Sequence, residues 1–439
     1  MNFQNKKIAV IGEGIEGVSS ASYLKKHGAD VTVLDKKQGV NYLDGLGKYD
    51  LIVRSPGVKL TTIQNSINNK QKPIITSQTK LFFDLCPCPV IGVTGTKGKG
   101  TTSSLIYEML KKQGHDAYLG GNIGEPPLHF LDKLNPQSIV VLELSSFQLL
   151  DLEKSPHIAI MLMTTSEHLD YHNSTEEYVD AKRNILRFQN STDFAIVNRD
   201  YPASNESDIH TKGRVFYVST ERNGYEGCFI KDNEVFIKLD GKEEKIIDAS
   251  EILLPGKHNL ENVGAAVVTA ILAGVSKENI VSVLKTFKGL EHRLELVATV
   301  NGVRYYDDSF STTPETAIAA IESFKVPEIL ILGGSSKNSN FEELGQVISR
   351  AENIRAIIGI GIEWERIKAQ LIIHNSEFII VEGADNMEKI VKAASKIALP
   401  GDVVLLTPAC ASFDMFKNYK DRGEQFKKEV KNLKTAASN

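Results

Sequence analysis

The run Ile91-Gly-Val-Thr-Gly-Thr-Lys-Gly-Lys-Gly-Thr-Thr102 constrains this chain more than any other stretch. An apolar strand, Val90 to Val93, enters a loop with four glycines between Gly92 and Gly100. Lys99 stands at the loop's end, and a helix-forming run, Ser103 to Lys112, follows. Strand, glycine loop, lysine and helix in that order make a cradle for nucleotide phosphates. The glycines let backbone N–H groups turn inward, the helix N-terminus adds positive partial charge, and the lysine is a mobile cation. The strict G-x-x-x-x-G-K-[ST] pattern is not met: Val93 replaces the first glycine and Gly100 the hydroxyl residue. Thr101 and Thr102 follow at once, which keeps a hydroxyl within reach of a magnesium ion.

A loop of this kind belongs to a parallel sheet, and from Val90 strands and helices do alternate. Gly120-Gly-Asn-Ile-Gly124 reads as a flexible turn against a ligand. The strand Ser138 to Glu143 ends in an acid that either binds magnesium or caps the next helix. The strand His157 to Met163 opens onto Glu167, His168 and Asp170, a cluster suited to metal or catalytic work at a sheet's carboxyl edge. Lys182 lies in a helix spanning Thr175 to Phe188, where periodicity alone reads a solvated basic face. Short strands follow between Phe194 and Lys238, the later ones as a hairpin excursion. His258, Asn259 and Asn262 share the first turn of a helix running to about Ala273, where the amides either contact a base or cap the helix.

Ahead of the loop, the strand Lys7 to Gly12 leads into Gly12-Glu-Gly-Ile-Glu-Gly17, a helix from Val18 to His27, and the strand Val31 to Asp35. By itself this G-x-G-x-x-G turn points to a nicotinamide or flavin dinucleotide, to another diphosphate, or only to tight packing. Asp50 to Gly57 adds a strand and turn, and Cys86 to Pro89 reads as a linker. Beyond a hinge at Gly289 to Arg293 lies a third alternating block, with a last helix from about Asp414 towards Lys434. Its loops Gly333 to Lys337 and Pro408 to Ser412 follow apolar strands, on the edge where open sheets bind ligands.

Bulk properties exclude little. Over 439 residues the net charge is -4, which gives no general attraction to nucleic acid or anionic membrane. No apolar run reaches the roughly 18 residues that a membrane span needs, and no signal-peptide core is visible, so a cytoplasmic protein is expected. Of four cysteines only Cys86 and Cys88 are close, and free thiols in a reducing compartment are expected.

Taken in order, these stretches resemble the Mur ligase family of ATP-dependent amide-bond-forming enzymes over nearly the whole chain. The family marks are Gly95-Thr-Lys-Gly-Lys99, Glu143, His168, Lys182, His258-Asn-x-x-Asn262 and His292-Arg293. Gly120 to Gly124, Glu143 to Gln148, Gly333-Gly-x-x-Lys337 and Pro408-Ala-Cys-Ala-Ser-x-Asp-x-Phe-Lys-Asn418 are similar to the member that adds glutamate to UDP-N-acetylmuramoyl-L-alanine. The resemblance implies an α/β chain of three domains. These are a Rossmann-like domain for the UDP substrate (1–88), a central P-loop ATPase-like parallel-sheet domain (89–291) and a Rossmann-like C-terminal domain for glutamate and nucleotide (292–439). The same resemblance resolves the first glycine turn as a holder of uridine diphosphate rather than of a redox cofactor. It also implies a monomer, with no nucleic-acid partner and no membrane insertion.

Residue roles follow from the resemblance. Gly95, Thr96, Lys97, Gly98, Lys99, Gly100 and Thr101 would hold ATP, with Asn262 on adenine, Arg293 on the phosphates and Asp308 on the ribose side. Thr101, Glu143, His168 and a carbamylated Lys182 would hold magnesium. Gly14, Ile15, Glu16, Asp35, Ser55, Pro56 and Gly57 would face the UDP group, and Asn122, Ser145 and Gln148 the muramoyl-alanine arm. Thr312, Lys337, Ser412 and Tyr419 would bind glutamate. The chain departs from the pattern at Phe310, where the glutamate-adding enzymes usually have lysine, at Tyr419 for phenylalanine, at Glu167 for aspartate and at Gly100 for serine. Phe310 leaves D- against L-glutamate open, and a nucleotide-binding homologue without catalysis stands as a further alternative.

Overall fold

The computed structural model describes residues 1–67, 73–165, 174–221, 224–336, 339–373 and 379–436. The first sheet holds β1 (Lys7–Ile11), β2 (Asp30–Leu34), β3 (Leu51–Arg54) and β4 (Ile74–Ser77), all parallel in the order β2-β1-β3-β4. Ile8 to Ile11, Ile52 and Val53 are buried without alternation, as strands covered on both faces must be. The helix after β1 runs Ile15–Lys26 and so starts earlier than Val18. Gly14 is its extended N-cap, and the first helical residue, Ile15, is exposed.

The second sheet takes β5 (Val90–Thr94), β6 (Ala117–Gly121), β7 (Ile139–Glu143), β8 (Ile158–Met161), β9 (Phe194–Asn198), β10 (Arg214–Ser219), β11 (Gly227–Lys231), β12 (Glu234–Leu239) and β13 (Lys242–Asp248). Their order is β13-β12-β11-β10-β9-β8-β5-β7-β6, parallel from β6 through β11 and antiparallel from there outward. The expected hairpin excursion therefore continues the main sheet. Phe229 stacks on Phe236 across β11 and β12 with ring centroids 5.8 Å apart, and Val235 and Ile237 are buried. Gly120 and Gly121, expected in a flexible turn, instead end β6 and pair with Leu142 and Glu143.

The chain divides into two compact units, residues 1–251 with 258–285, and 252–257 with 286–439. Within the first unit the two sheets share an apolar cluster that includes Leu24, Phe82, Phe130 and Val140. Arg54, at the end of β3, is buried and crosses to the second sheet's side. It donates to Asp151 Oδ1 at 2.9 Å and to the carbonyls of Pro56 and Val58 at 3.2 and 3.0 Å.

The second unit holds β14 (Glu295–Val300), β15 (Val303–Asp307), β16 (Glu328–Gly333), β17 (Ile354–Ile360), β18 (Ile379–Val381) and β19 (Val403–Leu406). The order is β14-β15-β19-β16-β17-β18, parallel except for β14. One face is packed by Ala317, Leu344 and Trp364, the other by Ile390, Phe426 and Val430. The last helix begins at Tyr419, not near Asp414. Asn418 Oδ1 accepts from Asp421 N at 3.0 Å, a cap that fixes the start, while Ser412 O takes the Phe416 amide in a turn before it. Among the described residues no helix is long and apolar enough to cross a membrane.

Glu328 opens β16 fully buried, with Oε1 accepting from Asn353 at 2.8 Å and Oε2 without a partner among the described residues. Burial lifts its carboxyl from 4.5 to about 8. A raised folded value means stability that is complete below the unfolded value and is lost as pH climbs towards 8. Glu328→Gln should therefore gain on the order of 2 kcal/mol at pH 8 and little at pH 5. Thermal melts in the two buffers check this, and an equal shift in both would show that ionisation is not the cause.

Candidate active site

The phosphate loop is a braced structure. Gly98 is the N-cap of the helix Lys99–Gln113, with φ +86°. A Cβ there would lie 2.1 Å from Asn262 Oδ1, so both the backbone sign and the close approach require glycine. Asn262 comes from the helix Lys257–Leu272, takes a hydrogen bond from Thr102 Oγ1 at 3.3 Å and gives one to Asn259 Oδ1 at 3.1 Å. Thr96 N donates to Met163 O at 2.7 Å, and its hydroxyl meets Tyr178 Oη at 3.1 Å and accepts from Thr165 N at 3.0 Å. Loop, β8 end and the helix Thr175–Arg187 are thus tied together.

Two cations share one loop carbonyl. Lys99 Nζ donates to Gly95 O and Thr96 O at 3.0 Å each, and Lys182 Nζ donates to Gly95 O at 2.8 Å. Lys182 is only 1% exposed and lies over the Tyr178 ring, 4.5 Å from its centroid. The solvated basic face that helix periodicity suggested is not found there. Thr101 stands in the first turn of the loop's helix, and Lys97 is exposed at its outer edge.

Glu143 ends β7 and is buried. Its Oε1 accepts from Asn122 Nδ2 at 2.8 Å, and its carbonyl from Asn122 N at 2.9 Å. It does not cap the following helix, because Ser145 does: Gln148 N donates to Ser145 Oγ and Ser145 N to Gln148 Oε1. Gln148 Nε2 reaches on to Glu16 Oε1 at 2.6 Å, which joins the first sheet's glycine turn to the second sheet. Burial raises the Glu16 carboxyl, and its Oε2 has no partner among the described residues. Asp35 accepts from Glu13 N at 2.9 Å and Lys37 N at 3.0 Å, and these backbone bonds hold its carboxyl low. Ser55 lies against Gly12 and Gly17 of the same turn. His168, with Glu167 and Asp170, lies outside the described residues, as does Lys337.

In the second unit Asp308 is buried, with oxygens accepting from Leu294 N at 3.1 Å and Thr407 Oγ1 at 3.0 Å; burial pushes its carboxyl up to about 7. Arg293 stacks on Phe310 at 3.8 Å from the ring centroid, and Tyr419 meets the same ring edge-on at 5.1 Å. A lysine at 310 would oppose Arg293, whereas the phenyl ring attracts it. Ser412 is buried, and Thr312 lies just before the helix Pro314–Ile321.

Two family profiles match the chain: the Mur ligase middle domain over residues 93–270 and the Mur ligase glutamate ligase domain over 292–410. The UDP-N-acetylmuramoylalanine–D-glutamate ligase of Acetivibrio thermocellus is 39% identical, with 98% of this chain and 97% of that one covered. The chain belongs to the Mur ligase family. Its fold is also that of a pseudomurein peptide ligase type C from Methanothermus fervidus (TM-score 0.61, 17% identity, 98% and 100% of the chains covered). The MurF ligase of Thermotoga maritima, solved with ADP, is similar as well (TM-score 0.59, 19% identity, 98% and 96% covered).

In this Mur ligase chain, three buried residues carry no local sequence signal of their own: Tyr178 and Arg54 in the first unit and Arg422 in the second. Arg422 is fully buried in the last helix and donates to Ser309 Oγ and O, both at 2.9 Å, and to Cys410 O at 3.1 Å. Burial lowers its guanidinium to about 10. Its neighbour Gly423 was the available signal. A glycine inside a helix costs stability unless something must come close, and a Cβ there would lie 2.2 Å from His292 Nδ1. That imidazole pairs with Asp307 Oδ2 at 2.7 Å.

Proposed function

We propose that this Mur ligase joins glutamate, in its D form, to UDP-N-acetylmuramoyl-L-alanine with ATP, in the assembly of peptidoglycan precursors. The observation that carries the reading is the braced phosphate loop, with Lys99 and Lys182 on the Gly95 carbonyl, in a chain so similar along its length to an enzyme of that name.

A carboxylate is a poor electrophile. Transfer of the γ-phosphoryl group of ATP to the L-alanine carboxylate gives an acyl phosphate and ADP. The glutamate amine then attacks the acyl carbon, and collapse of the tetrahedral adduct expels phosphate and leaves the amide. The loop amides from Gly95 to Thr101 and the Lys99 ammonium hold the phosphates, so that anionic partners can meet. Glu143 and the Thr101 hydroxyl are hard oxygen donors of the type magnesium takes, a carbamate on Lys182 would add another, and the family resemblance gives His168 a share in holding the metal. When bound, that metal supplies charge neutralisation.

On the same reading Asn262, Arg293 and Asp308 serve the nucleotide, and Thr312, Lys337, Ser412 and Tyr419 serve glutamate. Gly14, Ile15, Glu16, Asp35, Ser55, Pro56 and Gly57 serve the UDP group, and Asn122, Ser145 and Gln148 the muramoyl-alanine arm. The link from Gln148 to Glu16 supports a substrate lying across the two sheets of the first unit. The domain division at 88/89 and 291/292, a monomeric state and a cytoplasmic setting belong to this reading too; the three separate sheets support the first of these.

Phosphate release from ATP with UDP-N-acetylmuramoyl-L-alanine tests it, with D-glutamate, L-glutamate or neither added. Release is expected with D-glutamate alone. Release with L-glutamate would move the specificity and keep the chemistry. No release with either would overturn the proposal.

A further inference from the structure

We propose that Cys86 and Cys88 form a thiol–disulfide exchange site, which reacts with small-molecule disulfides and closes to an intramolecular Cys86–Cys88 bond. The two sulfurs already lie 3.5 Å apart, and Cys86 Sγ also donates to the Cys88 carbonyl at 3.5 Å. Both residues are half-buried and line a cavity of about 330 Å³, with Phe83, Val90, Lys154, His157 and Phe188 in its walls. Cys86 is also the C-cap of the helix Gln78–Leu85, where its amide is bonded to Phe82 O, so the backbone of the pair is held.

The two thiols are unequal. The hydrogen bond from Cys88 lowers Cys86, and the bond and charge of Cys86 contribute to raising Cys88. Cys86 is therefore the attacking sulfur. Its thiolate attacks one sulfur of the incoming disulfide, whose S–S bond breaks, and the departing thiolate takes up the proton that Cys86 lost. With Cys86 in a mixed disulfide its charge is gone, and that part of the restraint on Cys88 is lifted. Cys88 then loses its proton to water and attacks Cys86 Sγ, and the second small thiol leaves. In balance, the protein loses two hydrogens and one small disulfide becomes two thiols. The remaining cysteines are internal controls: Cys228 and Cys410 are buried, and burial pushes both thiols up to about 12.

The test incubates the folded full-length chain with oxidised glutathione, blocks remaining thiols with N-ethylmaleimide and maps the peptides by mass spectrometry. The expected result is protection of Cys86 and Cys88 together, as one peptide lighter by two hydrogens, reversed by dithiothreitol. Cys88→Ser should instead keep a glutathionyl group on Cys86, because the resolving thiol is gone. The proposal fails if the parent chain carries glutathionyl adducts without closure, if Cys228 or Cys410 reacts as fast, or if all the thiols remain open to alkylation.

Discussion

Lys182→Ala should slow phosphate release by on the order of 10²–10³, and added acetate or formate should restore part of the loss. Lys182 and Lys99 point ammonium groups at the same Gly95 oxygen from within 3.0 Å, and the Lys182 side chain is nearly closed off from water. Two ammonium groups that converge on one carbonyl repel each other. A carbamate on Lys182 would reverse the sign, giving an anion beside Lys99 and an oxygen donor for magnesium. Alanine leaves a space that a small carboxylate can enter, which is why rescue and not loss alone is the informative result. A melting curve of the variant separates a chemical defect from unfolding. Full activity without rescue would remove Lys182 from the reaction, and a folded, inactive variant that no carboxylate restores would remove the carbamate.

The second large effect is on stability. Arg54→Ala should cost about 3–5 kcal/mol, because it leaves a carboxylate in the interior without its cation. The Arg54 side chain is fully buried and that of Asp151 is 12% exposed, so water can screen little of the loss. Arg54 also satisfies the Pro56 and Val58 carbonyls, and a double replacement with Asp151→Asn should recover only part of the deficit. Denaturant titration of the three proteins measures both quantities. A single variant that unfolds at the parent midpoint would contradict the account of the pair.

What the sequence disclosed follows from range. The phosphate loop was legible because strand, glycines, lysine and helix start are neighbours in the chain, and its backbone follows from local residue types. Lys182 gave no such sign: its helix has an ordinary amphipathic pattern, and the carbonyl that receives its ammonium lies 87 residues earlier. Arg422 was hidden in the same way, with its partner Ser309 113 residues away. The start of the last helix was misplaced because a cap at Asn418 outweighs the weak helical pattern before it. The capping alternative for Glu143 is removed by a residue two positions on, since Ser145 caps the helix. Asn122 belongs by local sequence to a flexible turn, and the pairing of β6 with β7 is what brings it to Glu143.

The bond between Thr102 and Asn262 spans 160 residues, and the first unit is completed by residues 258–285 after a detour of the chain into the second. The order of synthesis therefore matters. At about 5–20 residues per second, roughly ten to thirty seconds separate the appearance of the loop from that of the asparagine beneath it. Through the later part of that interval the glycine loop has its bonds to Met163, Thr165, Tyr178 and Lys182 within reach but lacks the Asn262 contact. The nucleotide site is thus finished late, by the arrival of a single helix, and the nascent protein cannot present the completed loop until that helix has left the ribosome.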